Sequence, residues 1–225
     1  MASIKVDIWG DFALFTRPEM KVERVSYNMI TPSAARNILD AIMWHPGMKW
    51  VIRSIQICNP VRFISVRRNE ITEIGSAKNI KESLHGKRSM SSLYISRKEV
   101  RTQRSSRLLR DVRYIIEADI ELTNEAHEDD SLGKFYGMAA RRIEKGQCFR
   151  NPYLGCKEFG CHFQPYDESE PIECPVELEG FVDMGYVLFD MDCSDAKNIH
   201  PLFFHAVLKD GKLRVPHPGS SEIIG

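Results

Sequence analysis

Two short runs hold side chains able to move protons beside a charged phosphorus. Trp44-His45-Pro46 places an imidazole at the end of one apolar-periodic segment, and Gly133-Lys134-Phe135-Tyr136 places an ammonium and a phenol at the start of another. An imidazole titrates near neutral pH and serves as general base or acid. A lysine offers a positive charge to a phosphorane. The loops and motifs of nucleotide hydrolysis, hydride transfer, serine hydrolysis and zinc peptidase chemistry are missing: there is no Walker loop, no Gly-x-Gly-x-x-Gly, no Gly-x-Ser-x-Gly and no His-Glu-x-x-His. His45, Lys134 and Tyr136 suffice for a reaction whose substrate brings its own nucleophile, and the 2′-hydroxyl of RNA is such a nucleophile. In that reaction His45 is the general base or acid and Lys134 the phosphate stabiliser. Each residue also has a plainer use. A histidine at a helix end caps carbonyls or meets the dipole, Lys134 suits a solvated helix surface, and Tyr136 suits a core.

The charge pattern supplies a partner for such chemistry. Lys and Arg number 31 and Asp and Glu number 31, so the chain is neutral overall. The charges are nevertheless segregated. Residues 60–113 hold 14 basic and 5 acidic side chains, whereas residues 114–225 hold 10 basic and 21 acidic. A concentrated basic segment attracts polyanions whatever the total charge.

The elements that must position these residues follow from periodicity. Ile4, Val6 and Ile8 alternate as a strand that Gly10-Asp11 ends. Thr31-Pro32 marks a helix start, and Ala34, Ile38 and Ile42 form its stripe up to Pro46-Gly47. A strand runs from Met48 to Cys58, with Trp50 and Ile52 on one face and Val51, Ile55 and Ile57 largely on the other. Val61 to Val66 is another. Residues 69–107 are rich in Ser, Lys and Arg and read as a protruding basic hairpin or arm, with a short strand at Tyr94-Ile95. Alternation from Val112 to Leu122 is the cleanest strand signal. Asp129, Asp130 or Ser131 then caps a helix with Leu132, Phe135, Tyr136, Ala139 and Ile143 in its stripe and Gly146 as its stop. Two strands close the chain, Glu179–Asp190 and Phe203–Leu208, with a hairpin turn at Lys209-Asp210-Gly211-Lys212.

This order predicts an α+β fold. Residues 1–145 form a β-α-β-β-α, ferredoxin-like domain that carries the basic arm. Residues 146–225 form a β-rich C-terminal region, whose Glu179–Asp190 run supplies the last strand of the ferredoxin-like sheet. Sheets of this kind offer an open face for stacked bases, with cations tracking the backbone, although no RNP1-type aromatic motif is present.

No stretch approaches the roughly 18 apolar residues of a membrane span, and the N-terminal residues lack the pattern of a secretory signal. The expected setting is cytoplasmic, without membrane contact. The six cysteines show no Cys-x2-Cys pair and match no common zinc spacing, so they read as reduced thiols with no metal and no cofactor.

Several blocks carry a family resemblance. Gly10-Asp11-Phe12-Ala13-Leu14-Phe15-Thr16-Arg17-Pro18, Lys21-Val22-Glu23-Arg24-Val25-Ser26-Tyr27 and Pro32-Ser33-Ala34-Ala35-Arg36 resemble the N-terminal signature of the CRISPR-associated Cas family five, Dvulg subtype. Ile64-Ser65-Val66-Arg67-Arg68-Asn69-Glu70, Gly146-Gln147-Cys148-Phe149 and Pro152-Tyr153-Leu154-Gly155-Cys156-Lys157-Glu158-Phe159 resemble later blocks, in the family's order.

The resemblance implies a RAMP-type, ferredoxin-like domain with a C-terminal β region, working in type I-C systems. It implies binding of the CRISPR repeat hairpin, metal-independent cutting of the precursor transcript, retention of the 5′ handle, and assembly with backbone and large subunits. Duplex DNA is a further, non-specific partner that it implies. The catalytic set it implies is a tyrosine on the first helix and an adjacent Lys-His on the second. Those positions hold Met43, Lys134 and Phe135 here, so only the lysine is kept. His45 and Tyr136, each close by, are the candidates to compensate. The expected function is therefore an endoribonuclease that matures guide RNA, with a non-catalytic handle-binding subunit as the alternative. The expected RNA contacts are Arg67, Arg68, Arg17, Lys21 and Arg24, with Arg141 and Arg142 behind them.

Overall fold

The computed structural model describes residues 3–20, 22–72, 76–89, 101–169, 171–195 and 197–225. Lys21 and Tyr94-Ile95 lie outside the described residues. The strands are β1 (Ile4–Ala13), β2 (Arg24–Val25), β3 (Met48–Ile57), β4 (Arg62–Ile71), β5 (Arg101–Leu122), β6 (His162–Pro165), β7 (Phe181–Asp192), β8 (His200–Lys209), β9 (Lys212–Arg214) and β10 (Ile223–Ile224). The helices are α1 (Pro32–Ile42), α2 (Ala77–Leu84) and α3 (Leu132–Glu144). The strands join in one sheet, antiparallel except where β2 runs parallel to β5. Among the described residues no helix is long and apolar enough to cross a membrane.

The central order is β6-β1-β5-β3. Val6 and Ile8 of β1, Ile116, Ala118 and Ile120 of β5, and Trp50, Ile52, Ile55 and Ile57 of β3 pack with Ile38, Leu39 and Ile42 of α1 and Phe135, Ala139 and Ile143 of α3 in one core. Burying each large apolar side chain contributes roughly 1.5–3 kcal/mol before entropy is counted. Thr31 caps α1 by accepting the Ala34 amide at 3.2 Å, and Ser131 caps α3 by accepting the Lys134 amide at 3.3 Å. Gly146, at φ +61, ends α3 as expected.

The structure corrects several sequence expectations. The strand beside β1 is β6, at His162–Pro165, and β7 pairs with β8 instead. Strand β1 does not stop at Gly10-Asp11 but continues to Ala13. Ile55 and Ile57 share the helix-covered face with Trp50 and Ile52, because the register shifts between Ile52 and Ser54. That bulge adds one residue and reverses the alternation. Arg53 sits at it, exposed, with its Nε 2.6 Å from Asp119.

Strand β5 is twice the length that alternation suggested. Its C-terminal half pairs with β3 and β1, and its N-terminal half pairs with β4 in a basic hairpin, so that residues 101–107 of the expected arm lie in a strand. Asp111 takes φ +52 between the halves, a conformation Asp tolerates better than most residues. The Asn59 side-chain amide donates to its carbonyl at 2.7 Å. The α2 helix, capped by Ser76, follows β4 within the hairpin connection. The β8–β9 turn carries positive φ at both Asp210 and Gly211, the geometry of a type I′ hairpin.

Candidate active site and nucleic-acid face

Two loops meet at the C-terminal end of α1 and the N-terminal end of α3. The first is the turn His45-Pro46-Gly47, closed by the Met48 amide donating to the His45 carbonyl at 3.1 Å. The second runs from Thr123 to Asp130. Thr123 laces them together: its hydroxyl donates to the Pro46 carbonyl at 2.5 Å and its amide to the Gly47 carbonyl at 3.1 Å.

At this junction His45 and Lys134 converge on one carboxylate. The Lys134 ammonium is 2.8 Å from Asp130 Oδ1, and His45 Nδ1 is 4.0 Å from Asp130 Oδ2. The Asp130 side chain is 3% exposed, while those of His45 and Lys134 are 35% and 46% exposed and so reach solvent. The hydrogen bond from Lys134, with a further one from the His127 amide, holds the Asp130 carboxyl below its ordinary range. The Gly47 amide donates to His45 Nδ1 at 3.1 Å. In neutral imidazole this leaves the proton on Nε2.

Met43 and Phe135 are buried, at 1% and 0% exposure, and neither offers a titratable group. The His45 ring lies against Phe135 with centroids 5.1 Å apart. Tyr136 is engaged elsewhere: its hydroxyl oxygen accepts the Ile120 amide at 3.0 Å. Ile120 lies beyond the last β1–β5 pair, Ile4 with Ala118, so this hydroxyl satisfies an amide of β5 where β1 has ended. Sequence inspection named Asp130 only as a possible helix cap. The spacing of four to Lys134 was the signal for its second role.

The basic residues divide by strand parity. In the β4–β5 hairpin, Ser65 pairs with Arg107, Arg67 with Ser105, Asn69 with Gln103 and Ile71 with Arg101. Directly paired residues share a face, so Arg67, Arg101 and Arg107 lie together among neutral polar side chains. All three are exposed, and among the described residues none has an acidic partner. Arg107 stands 4.2 Å over the Phe63 ring on that face. On the opposite face most of the cations have carboxylate partners, Arg62 being an exposed exception among the described residues. Arg68 pairs with Glu158, while Arg24 and Arg104 both reach Glu70, at 3.5 and 3.7 Å.

Two of the other expected contacts, Arg17 and Arg142, have structural partners. Arg17 lies 3.7 Å from Glu19 and 4.7 Å over the Tyr27 ring. Arg142 donates to the Ile42 carbonyl at 2.9 Å, tying α3 to the end of α1, and Arg141 is exposed. The sheet face away from the helices is a lattice of ion pairs: Arg113 with Asp7, Lys49 with Glu121, Arg53 with Asp119 and Lys212 with Glu117. These four cations are committed to carboxylates, whereas among the described residues Arg67, Arg101 and Arg107 have no acidic partner. The six cysteines are free, and burial pushes the Cys58 and Cys161 thiols up to about 12.

The sequence profile of a family described as CRISPR-associated protein (Cas_Cas5), Cas5d type, matches residues 3–216. The chain belongs to the Cas5d family. It is 45% identical over 215 residues to a protein of Mannheimia succiniciproducens named CRISPR pre-crRNA endoribonuclease Cas5d, covering 95% of this chain and 94% of that one. A protein of Thermus thermophilus with the same name is 36% identical over 233 residues, covering 96% and 92%. A solved structure described as a CRISPR-associated protein superposes with a TM-score of 0.69 at 19% identity, over all of this chain and 97% of that one, and supports the fold.

Proposed function

We propose that this chain is a metal-independent endoribonuclease that cuts the repeat of precursor CRISPR RNA and keeps the 5′ handle. The observation that carries the activity is the convergence of His45 and Lys134 beside Asp130, in a chain 45% identical to a protein named a pre-crRNA endoribonuclease. In the reaction, the 2′-oxygen attacks the adjacent phosphorus and the bond from phosphorus to the 5′-oxygen breaks. The products are a 2′,3′-cyclic phosphate and a 5′-hydroxyl. One proton leaves the 2′-hydroxyl and one reaches the 5′-oxygen. As the imidazolium, with both ring nitrogens protonated, His45 is suited to donate its Nε2 proton to the leaving oxygen, and the neutral ring that remains regains a proton from solvent. Lys134, with protons beyond the one given to Asp130, is suited to meet the phosphorane oxygens.

We read β1-α1-β3-β5-α3-β6 as the ferredoxin-like unit, with β6 as its last strand, and residues 146–225 as the β-rich region that supplies it. RNA lies along Arg67, Arg101 and Arg107, where uncommitted guanidiniums can take phosphates. After cutting, the chain stays with the handle and joins the backbone and large subunits of a type I-C complex, as the family resemblance implies.

One observation favours a second reading, a handle-binding subunit that does not cut. Met43 and Phe135 are apolar and buried where the resemblance implies proton-carrying side chains. Single-turnover cleavage of the cognate repeat by the parent chain and by His45→Ala and Lys134→Met separates the two. Cutting by the parent, with loss of rate and not of binding in both variants, supports the enzyme. Tight binding without cutting by the parent supports the subunit.

A further inference from the structure

We propose that Asp130 is a positioning residue for RNA cleavage, holding the Lys134 ammonium and bracing the His45 turn so that both side chains address one phosphate. This rests on the endoribonuclease reading and names a residue outside the set that the family resemblance implies.

The carboxylate is fixed from three sides. The His127 amide donates to Oδ2 at 3.0 Å, Lys134 donates to Oδ1 at 2.8 Å, and the Gly47 backbone closes over it. A Cβ on Gly47 would stand 2.8 Å from Oδ2, 2.9 Å from the Ala126 Cα and 3.2 Å from His45 Nδ1. The contact is tight enough that only glycine fits without a shift. Gly47 also donates to His45 Nδ1. The position of the imidazole is thus set by a backbone segment seated on the Asp130 carboxylate.

Asp130 is also the residue before the Ser131 cap, where a negative charge complements the start of α3. A capping role alone would make Asp130 a matter of stability. Its oxygens instead face Lys134 and the His45 turn at the same time, and a purely structural acid would have no need of both. Lysine and histidine are half-exposed while the acid between them is enclosed, the arrangement expected of a support beneath reacting groups.

The test is Asp130→Asn, which keeps the volume and an acceptor for the His127 amide and removes the charge. Repeat RNA affinity and single-turnover cleavage are measured for the parent, Asp130→Asn, Lys134→Met and the double variant. We expect affinity within about twofold of the parent and a cleavage rate constant lower by on the order of 100-fold, the scale of misplaced reacting groups. We also expect the loss in the double variant to be smaller than the product of the two single losses, since the part of Asp130's effect that passes through Lys134 is already gone. If Asp130→Asn does not fold, Asp130→Ser takes its place, since its hydroxyl still accepts an amide and adds no bulk. A rate within twofold of the parent, or losses that multiply in the double variant, would overturn the inference and leave the endoribonuclease reading intact. A parent chain that binds repeat RNA and never cuts it would remove both.

Discussion

Arg67 and Arg68 are adjacent in the chain and opposite in the fold. Arg67 projects from β4 beside Ser105 with no acidic partner among the described residues, whereas Arg68 turns to the other face and pairs with Glu158. A fully stretched strand alternates its side chains, so two like residues in sequence take unlike roles.

From this relationship, Arg67→Ala should weaken repeat RNA binding several-fold, and Arg68→Ala should mainly lower stability by leaving Glu158 unpaired. Removing Arg67, Arg101 and Arg107 together should reduce the slope of log affinity against log salt by about 2, at roughly 0.7 for each single-strand phosphate contact. Filter binding across a salt series measures both. An unchanged slope in the triple variant would put the RNA elsewhere.

Tyr136→Phe separates support from chemistry. The phenol oxygen accepts the Ile120 amide, so its loss should cost about 1–3 kcal/mol of stability as an amide goes unsatisfied. The cleavage rate constant at a temperature well below unfolding should stay within about twofold, while His45→Ala should lose most of its rate. If neither variant changes the rate, the proposal that His45 or Tyr136 compensates for Met43 and Phe135 fails.

Gly47→Ala should both destabilise and slow cutting. The added methyl meets a carboxylate oxygen and backbone within 3 Å, and overpacking of this kind costs about 1–3 kcal/mol. Chemical denaturation reads the first effect and single-turnover cleavage the second. A variant as stable and as fast as the parent would mean that the His45 turn and Asp130 are not coupled.

Stability should fall on the acid side. Lys134 holds Asp130 below the ordinary range, Ser54 and Lys212 do so for Glu117, and Lys49 and His217 for Glu121. Carboxyls depressed in the folded state stabilise it fully above their unfolded values of about 4. That contribution is lost as pH falls through the lower folded values. Asp40, raised by burial, acts in the opposite direction. Melting temperatures from pH 7 to pH 3 should therefore decline most steeply below about pH 4, and Glu117→Gln should flatten part of that decline. A parent curve that stays level to pH 3 would contradict the ion-pair account.

Much of the scaffold was legible because period two and period three-to-four patterns survive burial on one face. The Thr31-Pro32 start, the Ser131 cap, the Gly146 stop and the Asp210-Gly211 turn are local chemistry and stood in the residues themselves. What escaped notice depended on distant partners. The β3 bulge reverses parity at Arg53, and nothing local to Ile52–Ser54 announces it. β6 is four residues long and makes its identity by pairing with β1. Arg101, Arg104, Arg107 and Arg110 recur every third residue, which disguises a strand that sends them alternately to two faces. At the site, His45 and Lys134 were visible by residue type and by the helix ends they occupy. Asp130 and Gly47 matter because two loops some 80 residues apart in sequence are laced by Thr123, and such closure is a property of the fold.

The most direct test of cutting by substrate-supplied nucleophile is single-turnover cleavage of end-labelled cognate repeat RNA in EDTA, with a second substrate carrying a 2′-deoxy sugar at the scissile nucleotide. We predict one cut in the first, ending in a 2′,3′-cyclic phosphate, and none in the second, with both bound equally well. Loss of cutting in EDTA that returns with added metal, or equal cutting of the 2′-deoxy substrate, would contradict the account.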